Sequence, residues 1–297
     1  MNLTLLYRGP LSSCNYGCGY CPFAKHHENA EELAADREAL ERFVSWVESR
    51  PNDTISIFFT PWGEALIRAW YRDAICRLSH LANVQKVAIQ TNLSCRLEWL
   101  ARCDKHRVGL WTTFHPSETT RERFLDQCRA LDESQVRYSV GVVGLKENEP
   151  QIQALRQELR PEVYLWINAY KDQADYYDAE TIARFTEIDP LFPTNCRNHP
   201  SFGKSCRTGS SVISVDGEGT MRRCHFIREP LGNIYQPGFE RALRERPCTN
   251  QTCDCHIGYV HLDELGLSDI YGPGILERIP EARALAYSAT TAIARPS

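Results

Sequence analysis

Three cysteines lie close together near the start of the chain and constrain it more than any other feature. Cys14, Cys18 and Cys21 have the spacing Cys-x3-Cys-x2-Cys. A [4Fe–4S] cluster is usually held by about four cysteine thiolates, so three thiolates leave one iron free to bind a small molecule. Zinc sites pair cysteines about two to four residues apart and add a second pair, whereas the next cysteine here is Cys76. The loop therefore favours an iron–sulfur cluster over a structural zinc site.

This loop, with Tyr20 directly before its last cysteine, resembles the signature of radical S-adenosylmethionine (SAM) enzymes. The resemblance implies that the open iron binds SAM as a co-substrate and that an electron from the cluster cleaves it. The resulting 5′-deoxyadenosyl radical takes a hydrogen atom from the substrate, while the protein binds, orients and shields the reactants. It also implies that Tyr20 belongs to the cofactor site and that an external donor of the flavodoxin or ferredoxin type supplies electrons.

The composition is that of an ordinary globular protein. The 297 residues are 42% hydrophobic and 24% charged, with a formal net charge of −4. No apolar run approaches about 18 residues, so we expect no membrane span. The acidic balance argues against nucleic acid as a partner and is compatible with a cationic substrate. The start of the chain is too polar for a signal peptide, so the thirteen cysteines indicate reduced thiols in the cytoplasm.

Short apolar runs alternate with stretches of helical periodicity over the first two thirds of the chain. The predicted strands are 3–7, 54–59, 84–90, 108–114, 136–143 and 162–168. The predicted helices are 30–49, 65–82, 95–103, 118–131, 149–160 and 178–187. Such alternation predicts an α/β fold with a parallel sheet covered by helices. Six such units, closing part-way, form the partial (β/α)6 TIM-like barrel that the resemblance to radical SAM enzymes implies.

In β/α barrels the reactive groups stand at the carboxyl ends of the strands. The segment 60–64, Thr-Pro-Trp-Gly-Glu, follows the second predicted strand and resembles the Gly-Gly-Glu stretch of radical SAM enzymes. The resemblance implies that Gly63 and Glu64 hold the amino group of SAM. The alternative for Glu64 is a carboxylate that the dipole of the next helix stabilises.

Weaker signals follow the later strands. By the same resemblance, Val142 and Gly144 meet the adenine of SAM, and Asn168 contacts its ribose. The alternative for Gly144 is a bend in a buried strand. The polar run 90–92 either reaches SAM or substrate or caps the following helix. His115, after the fourth strand, is a candidate substrate contact, although a lone histidine is more often structural.

Six further cysteines lie after residue 190, where the alternation of strands and helices stops. We therefore expect a radical SAM barrel in 1–190 and a small cysteine-rich domain in 191–297. A predicted hairpin between Cys206 and Cys224 resembles the auxiliary-cluster extensions of many radical SAM enzymes. The resemblance implies a second [4Fe–4S] cluster with the ligands Cys206, Cys224, Cys253 and Cys255. A structural zinc ion on the same thiolates is the alternative.

Of the six late cysteines, Cys196 and Cys248 are not part of this ligand set. A thiol S–H bond is weaker than a sugar C–H bond, so a thiol can return hydrogen to a carbon radical. Return to the face opposite to abstraction inverts the carbon. We expect Cys248 to be this donor because its segment is tied to the second cluster. The alternative is that Cys248 is itself a ligand in place of Cys253.

The loop, the barrel and the late cysteines together resemble the radical SAM epimerases of aminoglycoside biosynthesis. The resemblance implies an isomerase of antibiotic biosynthesis that inverts a ring carbon of an amino sugar. A polycationic substrate implies carboxylates around it, and the candidates are Asp172, Asp175, Asp254, Asp263 and Glu264. Two alternatives remain, a radical SAM maturase of a ribosomal peptide and a non-enzymatic, metal-stabilised binding or electron-transfer module.

Overall fold

Strands and helices alternate along the first two thirds of the chain, as the periodicity predicts. The computed structural model describes residues 1–23 and 27–281. The α-helices are α1 Ala30–Glu48, α2 Ala69–Ser79, α3 Arg121–Glu133, α4 Glu149–Glu158, α5 Ala179–Ile188, α6 Phe192–Asn195, α7 His256–Tyr259 and α8 Leu267–Tyr271. The strands are β1 Asn2–Arg8, β2 Thr54–Phe59, β3 Val84–Thr91, β4 Val108–Phe114, β5 Arg137–Val143, β6 Leu165–Asn168, β7 His199–Pro200, β8 Val212–Asp216, β9 Thr220–Arg222, β10 Pro230–Asn233 and β11 Thr252–Cys253. None of the helices in these two ranges combines the length and apolarity that crossing a bilayer requires.

All six strands predicted for the barrel form, and β2 and β4 have the predicted bounds. The prediction of a helix over 95–103 was wrong, because only a 3-10 turn, Glu98–Arg102, forms there. Gln127 on α3 holds the preceding segment by donating from Nε2 to the carbonyl oxygens of Leu93 and Cys95, at 3.2 and 2.6 Å. Contacts with another helix therefore override the weak local helical preference.

The main sheet has the strand order β10-β9-β8-β1-β2-β3-β4-β5-β6. Strands β1 to β6 pair in parallel, which confirms the predicted partial (β/α)6 barrel. On the other side of β1, β8 also pairs in parallel, with Thr4 opposite Val212. Strands β9 and β10 then continue the sheet in antiparallel fashion. The later hairpin thus extends the barrel sheet across the predicted boundary at residue 190, and the division into two domains stays a prediction.

Alternate side chains of the barrel strands point to two different cores. One face packs against the helices, and the other faces the barrel interior with the side chains Leu6, Phe58, Ala88, Trp111 and Trp166. The interior is filled by the later part of the described chain, through Ile257, Tyr259, Val260, Leu262, Leu267, Tyr271 and Leu276. Residues 257–276 are therefore packed inside the barrel.

One buried cation lies within this filling. Arg278 is fully buried, and its guanidinium carbon lies 4.4 Å from the ring centroid of Trp166 and 5.2 Å from that of Trp111. Its Nη2 donates to Oδ1 of Asn195 at 3.0 Å. Burial raises the pKa of the nearby Asp189 carboxyl, and the positive charge of Arg278 opposes that rise. Arg278 thus combines aromatic packing with charge compensation in the interior.

The neighbouring Glu277 lies at the amino ends of the strands. Its Oε1 is 2.7 Å from Nζ of Lys86 on β3 and 3.1 Å from Nε of Arg137 on β5. Its main-chain oxygen accepts a 2.6 Å hydrogen bond from Oγ of Ser139. The segment is therefore tied to three strand positions at the end of the barrel opposite to the strands' carboxyl ends.

We predict that Arg278→Met lowers the midpoint of thermal unfolding by several degrees. The variant keeps an unbranched apolar side chain but removes the charge that compensates buried Asp189, and an uncompensated buried charge costs about 3–5 kcal/mol. Thermal unfolding of anaerobically purified protein, followed by circular dichroism, measures the change. Arg129→Met on the exposed face of α3 is the control and should leave the midpoint unchanged. Equal midpoints for both variants would contradict the stabilising role of Arg278.

Candidate active site

A cavity of about 520 Å³ opens at the carboxyl ends of the first four strands. All three cysteines of the predicted cluster loop, Cys14, Cys18 and Cys21, line it. Residues at or after the strand ends complete one side, namely Arg8, Gly63, Glu64, Gln90, Thr91, Asn92, Thr113 and His115. The C-terminal part contributes His225, Phe226, Cys255 and Ile257. The thiols predicted to bind a cluster thus share one space with the strand ends predicted to bind SAM.

A buried carboxylate anchors the approach to the cysteine loop. Oε1 of Glu28 accepts hydrogen bonds from the backbone N–H groups of Ser12 and Ser13 at 2.5 and 2.7 Å. Burial alone would raise the pKa of Glu28, but the hydrogen bonds from Ser13 and Ser12 lower it to about 2. Further along the loop, Gly17 N–H donates to Oε2 of Glu118 at 3.0 Å. Sequence reasoning missed both glutamates, because their partners are backbone groups distant in sequence.

Gly63 has a steric reason to be glycine. A Cβ atom at this position would lie 1.7 Å from the carbonyl oxygen of Ser13, immediately before the first cysteine of the loop. The next residue, Glu64, donates its N–H to the same oxygen at 3.1 Å. By contrast, a Cβ at Gly17 or Gly19 would meet no atom within 4 Å. Gly63 therefore permits the end of β2 to pack directly against the cluster loop.

The carboxylate of Glu64 joins the ends of β2 and β3. It accepts hydrogen bonds from Leu66 N–H at 3.0 Å, from Thr91 Oγ1 at 2.9 Å and from Asn92 N–H at 2.5 Å. Burial raises its pKa to about 7 although these bonds act to lower it. Glu64 thus both lines the cavity and orders its wall, and its contact with SAM stays a prediction.

Asn92 contacts both the turn that follows it and the cysteine loop, while its contact with SAM or substrate stays a prediction. Its Oδ1 accepts from Ser94 N–H at 3.0 Å, which is a local turn contact. Its Nδ2 lies 3.7 Å from Sγ of Cys14 and 3.1 Å from Oδ1 of Asn15. The side chain therefore reaches the cysteine loop from the end of β3.

His115 lies beside the second cysteine of the loop. Its Nδ1 is 3.4 Å from Sγ of Cys18 and 2.7 Å from the hydroxyl of Tyr20. Burial lowers the pKa of His115 to about 4, so the imidazole is neutral at pH 7. Tyr20 and His115 therefore form a polar support for Cys18.

The residues predicted to bind the adenine and ribose of SAM lie farther along the sheet. Val142 is buried in the core between the sheet and the helices. A Cβ at Gly144 would lie 2.8 Å from Ile167 Cγ2. Asn168 is exposed at the end of β6. None of these side chains lines the cavity that holds the three thiols, and their contacts with SAM stay predictions.

Arg8 is a cavity residue that sequence reasoning missed. Its Nε donates to the carbonyl oxygen of Thr60 at 2.7 Å, and its guanidinium carbon lies 4.1 Å from the ring centroid of Trp62. Burial lowers its pKa to about 10, so the side chain remains a cation at pH 7. The sequence does place Arg8 at the end of a strand. Its contact with Trp62 could not be predicted, because Trp62 follows a different strand.

A second cavity, of about 390 Å³, adjoins the first. Arg8, Trp62 and His225 line both cavities, and the second also carries the carboxylates Asp216 and Glu218 and the guanidinium groups of Arg222 and Arg228. The five acidic residues predicted to surround a cationic substrate line neither cavity. Two of those five lie instead at the surface in polar contacts, with Ser205 and Lys204.

Cys248 lies with the other late cysteines. It packs against Cys224 and Ile227 in a small buried cluster. Its N–H donates to the carbonyl oxygen of Lys204 at 2.9 Å, two residues before Cys206. Arg223, next to Cys224, donates from its guanidinium to the carbonyl oxygens of residues 246 and 247. These bonds hold three cysteine-bearing segments together.

The four thiols of Cys206, Cys224, Cys248 and Cys253 influence one another electrostatically. After burial, the negative charges of Cys224, Cys206, Cys248 and, last, Cys255 raise the pKa of the Cys253 thiol. Cys255 is also exposed at the cavity that the loop cysteines line. Cys248 thus lies beside Cys224 and Cys255 lines the cavity, and the roles of both thiols stay predictions.

Thiolates are the donors that iron–sulfur clusters take, and the three loop thiols line the cavity. A second cluster on the later cysteines stays a prediction. Over residues 1–23 and 27–281, no three His, Cys, Asp or Glu side chains converge closely enough to hold a single metal ion.

We predict that Gly63→Ala impairs cluster assembly. The added methyl group has no room beside the Ser13 carbonyl, so the loop that carries Cys14 must move. Iron and sulfide content after anaerobic reconstitution should fall by about four irons per chain, the content of one cluster. Gly19→Ala, which has open space, is the matched control and should load fully. Full loading of both variants would contradict the steric argument.

No protein-family model and no curated protein matches the sequence. Solved structures do resemble the fold. Histidine-tagged anSMEcpe with bound AdoMet is 14% identical, with a TM-score of 0.57 over 97% of this chain and 94% of that chain. Native anSMEcpe with bound AdoMet is 15% identical, with a TM-score of 0.53 over 80% of this chain and 82% of that chain. At these identities the likeness concerns architecture, and the chain has the fold of the radical SAM partial barrel.

Proposed function

We propose that this chain is a radical SAM enzyme. The observation that carries the proposal is the single cavity in which all three thiols of the Cys-x3-Cys-x2-Cys loop meet Glu64 and the carboxyl ends of the strands. Reactive groups of β/α barrels stand at this end. The fold likeness to AdoMet-bound anSMEcpe supports the same use of the cavity.

More specifically, we propose an epimerase that inverts a ring carbon of an aminoglycoside amino sugar. The reaction is of the type catalysed by neomycin C epimerase, neomycin C to neomycin B. When bound, the [4Fe–4S] cluster and SAM supply a 5′-deoxyadenosyl radical that removes the hydrogen atom. The chain's own part is to hold the cluster through Cys14, Cys18 and Cys21, to order the SAM side through Glu64, and to return hydrogen from a thiol. A flavodoxin- or ferredoxin-type donor and a cytoplasmic location, where thiols stay reduced, complete the proposal.

One carboxylate of the second cavity supports a cationic substrate. Glu218, whose side chain is 81% exposed, can attract a protonated amino group. Asp216 is already paired with Arg222, and Arg8 lies over the ring of Trp62. The partner of Glu218 is Arg42, whose side chain is itself 46% exposed, so a substrate cation has access to the carboxylate. Since Arg8, Trp62 and His225 line both cavities, a sugar in the second can direct one ring towards the first.

A radical SAM maturase of a ribosomal peptide is the second candidate. Native anSMEcpe with bound AdoMet and Kp18Cys peptide shares the fold with a TM-score of 0.53 at 13% identity, over 80% of this chain and 82% of that chain. The cation of Arg8 in the shared wall suits an anionic peptide group better than an amino sugar. A non-enzymatic module would need neither the open cavity nor the strand-end polar groups.

We predict that the anaerobically reconstituted protein forms 5′-deoxyadenosine from SAM, a low-potential reductant and neomycin C. Cys14→Ala should abolish this formation because a loop with two thiols no longer holds the cluster. Chromatography with mass detection measures the nucleoside, and Cys196→Ala, outside both thiol groups, should keep wild-type turnover. In deuterated water, one deuteron should appear at the inverted carbon. Cleavage retained by Cys14→Ala would contradict the cluster assignment, and turnover with peptides alone would favour the maturase.

We also predict that Glu218→Gln raises KM for the aminoglycoside by about fivefold with little change in kcat. The carboxylate attracts the substrate cation but lies outside the cavity where the thiols meet. Steady-state kinetics at two salt concentrations measure the effect, which should shrink at high salt because exposed charges are screened. Glu187→Gln on the exposed face of α5 is the control. An unchanged KM would show that the second cavity does not bind the cationic sugar.

A further inference from the structure

We infer that the thiol of Cys255, and not that of Cys248, returns hydrogen to the substrate, and that Cys248 completes a four-thiol ligand set with Cys206, Cys224 and Cys253. The inference rests on the proposed function and assigns roles within it. It exchanges the two residues relative to the expectation from sequence.

The position of Cys255 supports its proposed role as the hydrogen donor. It lines the same cavity as Cys14, Cys18 and Cys21, and it is exposed into that space. A hydrogen donor must reach the radical that forms in this cavity, so it must be one of the lining groups. Among the lining cysteines of the described chain, Cys255 is the one outside the cluster loop.

The main chain holds Cys255 firmly at the cavity wall. It is the N-terminal residue before helix α7, and its carbonyl oxygen accepts hydrogen bonds from Gly258 and Tyr259 N–H at 2.9 and 3.0 Å. Ile257, two residues further on, lines the cavity and also packs in the barrel interior. The thiol is therefore positioned by a segment anchored within the barrel, which favours a fixed direction of hydrogen return.

Cys253 and Cys255, on either side of Asp254, have different surroundings. Cys253 lies in β11, paired with His199 of β7. The carbonyl oxygen of Asp254 accepts a 2.8 Å hydrogen bond from Nζ of Lys171. The Sγ atom of Cys253 lies close to Gly258, where an added Cβ would be 2.7 Å away. Cys253 therefore packs on the side of the later cysteines, while Cys255 opens into the cavity.

The surroundings of Cys248 support its proposed role as a ligand. Cys248 is buried against Cys224 and Ile227, and it does not line the cavity. Its N–H and C=O groups pair with Lys204 and Gly203, which fix it beside the segment of Cys206. A thiol in this position adds a fourth donor to a soft ligand set.

The hydrogen return conserves atoms and electrons. The S–H bond of Cys255 breaks homolytically, its hydrogen atom forms the new C–H bond on the opposite face, and a thiyl radical remains on sulfur. One electron from the low-potential donor of flavodoxin or ferredoxin type, together with one proton from solvent, restores the thiol. The substrate has gained one hydrogen atom for the one removed, so its oxidation state is unchanged.

Single variants of the full-length, anaerobically reconstituted protein test the two roles. Cys255→Ala should keep its full iron content and still form 5′-deoxyadenosine with neomycin C, but inverted product should fall to background. Cys248→Ala should lose about four of about eight irons, the content of one of two clusters, and the electron paramagnetic resonance signal of that cluster. Cys196→Ala should match the wild type in both readouts. Full iron content in Cys248→Ala, or inverted product from Cys255→Ala, would overturn the inference.

A chemical experiment needs neither folding of the variants nor turnover. Anaerobic wild-type holoenzyme is treated with iodoacetamide, with and without SAM, and alkylated peptides are identified by mass spectrometry. We expect alkylation of Cys255 that SAM suppresses, and no alkylation of Cys248. Alkylation of Cys248 instead of Cys255 would overturn the assignment. If the wild type forms no 5′-deoxyadenosine with any aminoglycoside, the proposed substrate fails, while iron content and alkylation still decide the positions of the two cysteines.

Discussion

Residues 257–278 pack inside the barrel, and the inner face of the sheet depends on them for its burial. An open sheet of six parallel strands leaves an inner face with Phe58, Trp111 and Trp166 that must be buried. The chain itself buries this face, with helices α7 and α8 and the buried Arg278 between the aromatic rings. The site depends on this arrangement, because the segment that enters the barrel begins at Cys255, at the rim of the cavity.

Two buried carboxylates, those of Glu28 and Glu64, order the backbone around the cysteine loop. Glu28 gathers the N–H groups before the cysteine loop, and Glu64 gathers those at the ends of β2 and β3. Each takes up backbone donors that would otherwise be unpaired in a region with little regular structure. The loop that carries Cys14, Cys18 and Cys21 is thereby held by hydrogen bonds to side chains and by the close backbone contact at Gly63.

Much of this could be predicted from sequence, and the exceptions share a physical cause. The barrel strands were predictable because strands buried on both faces read as continuous apolar runs. That Cys14, Cys18 and Cys21 lie together could be predicted because they are close in sequence. The positions of Cys248 and Cys255 were not, since Lys171 holds the Asp254 carbonyl and Lys204 holds Cys248 from distant parts of the chain. Arg8 was missed for the same reason, as its partner Trp62 follows another strand.

The parallel pairing of β8 with β1 also affects how the chain acquires its structure. β1 leaves the ribosome before the other described strands, yet one of its two neighbours is residues 212–216. Until that segment is synthesised, β1 presents an edge of unpaired N–H and C=O groups, which is a template for wrong pairing. Contacts so distant in sequence form slowly. The sheet around the strand that precedes the cysteine loop is therefore complete only after residues 212–216 have been made.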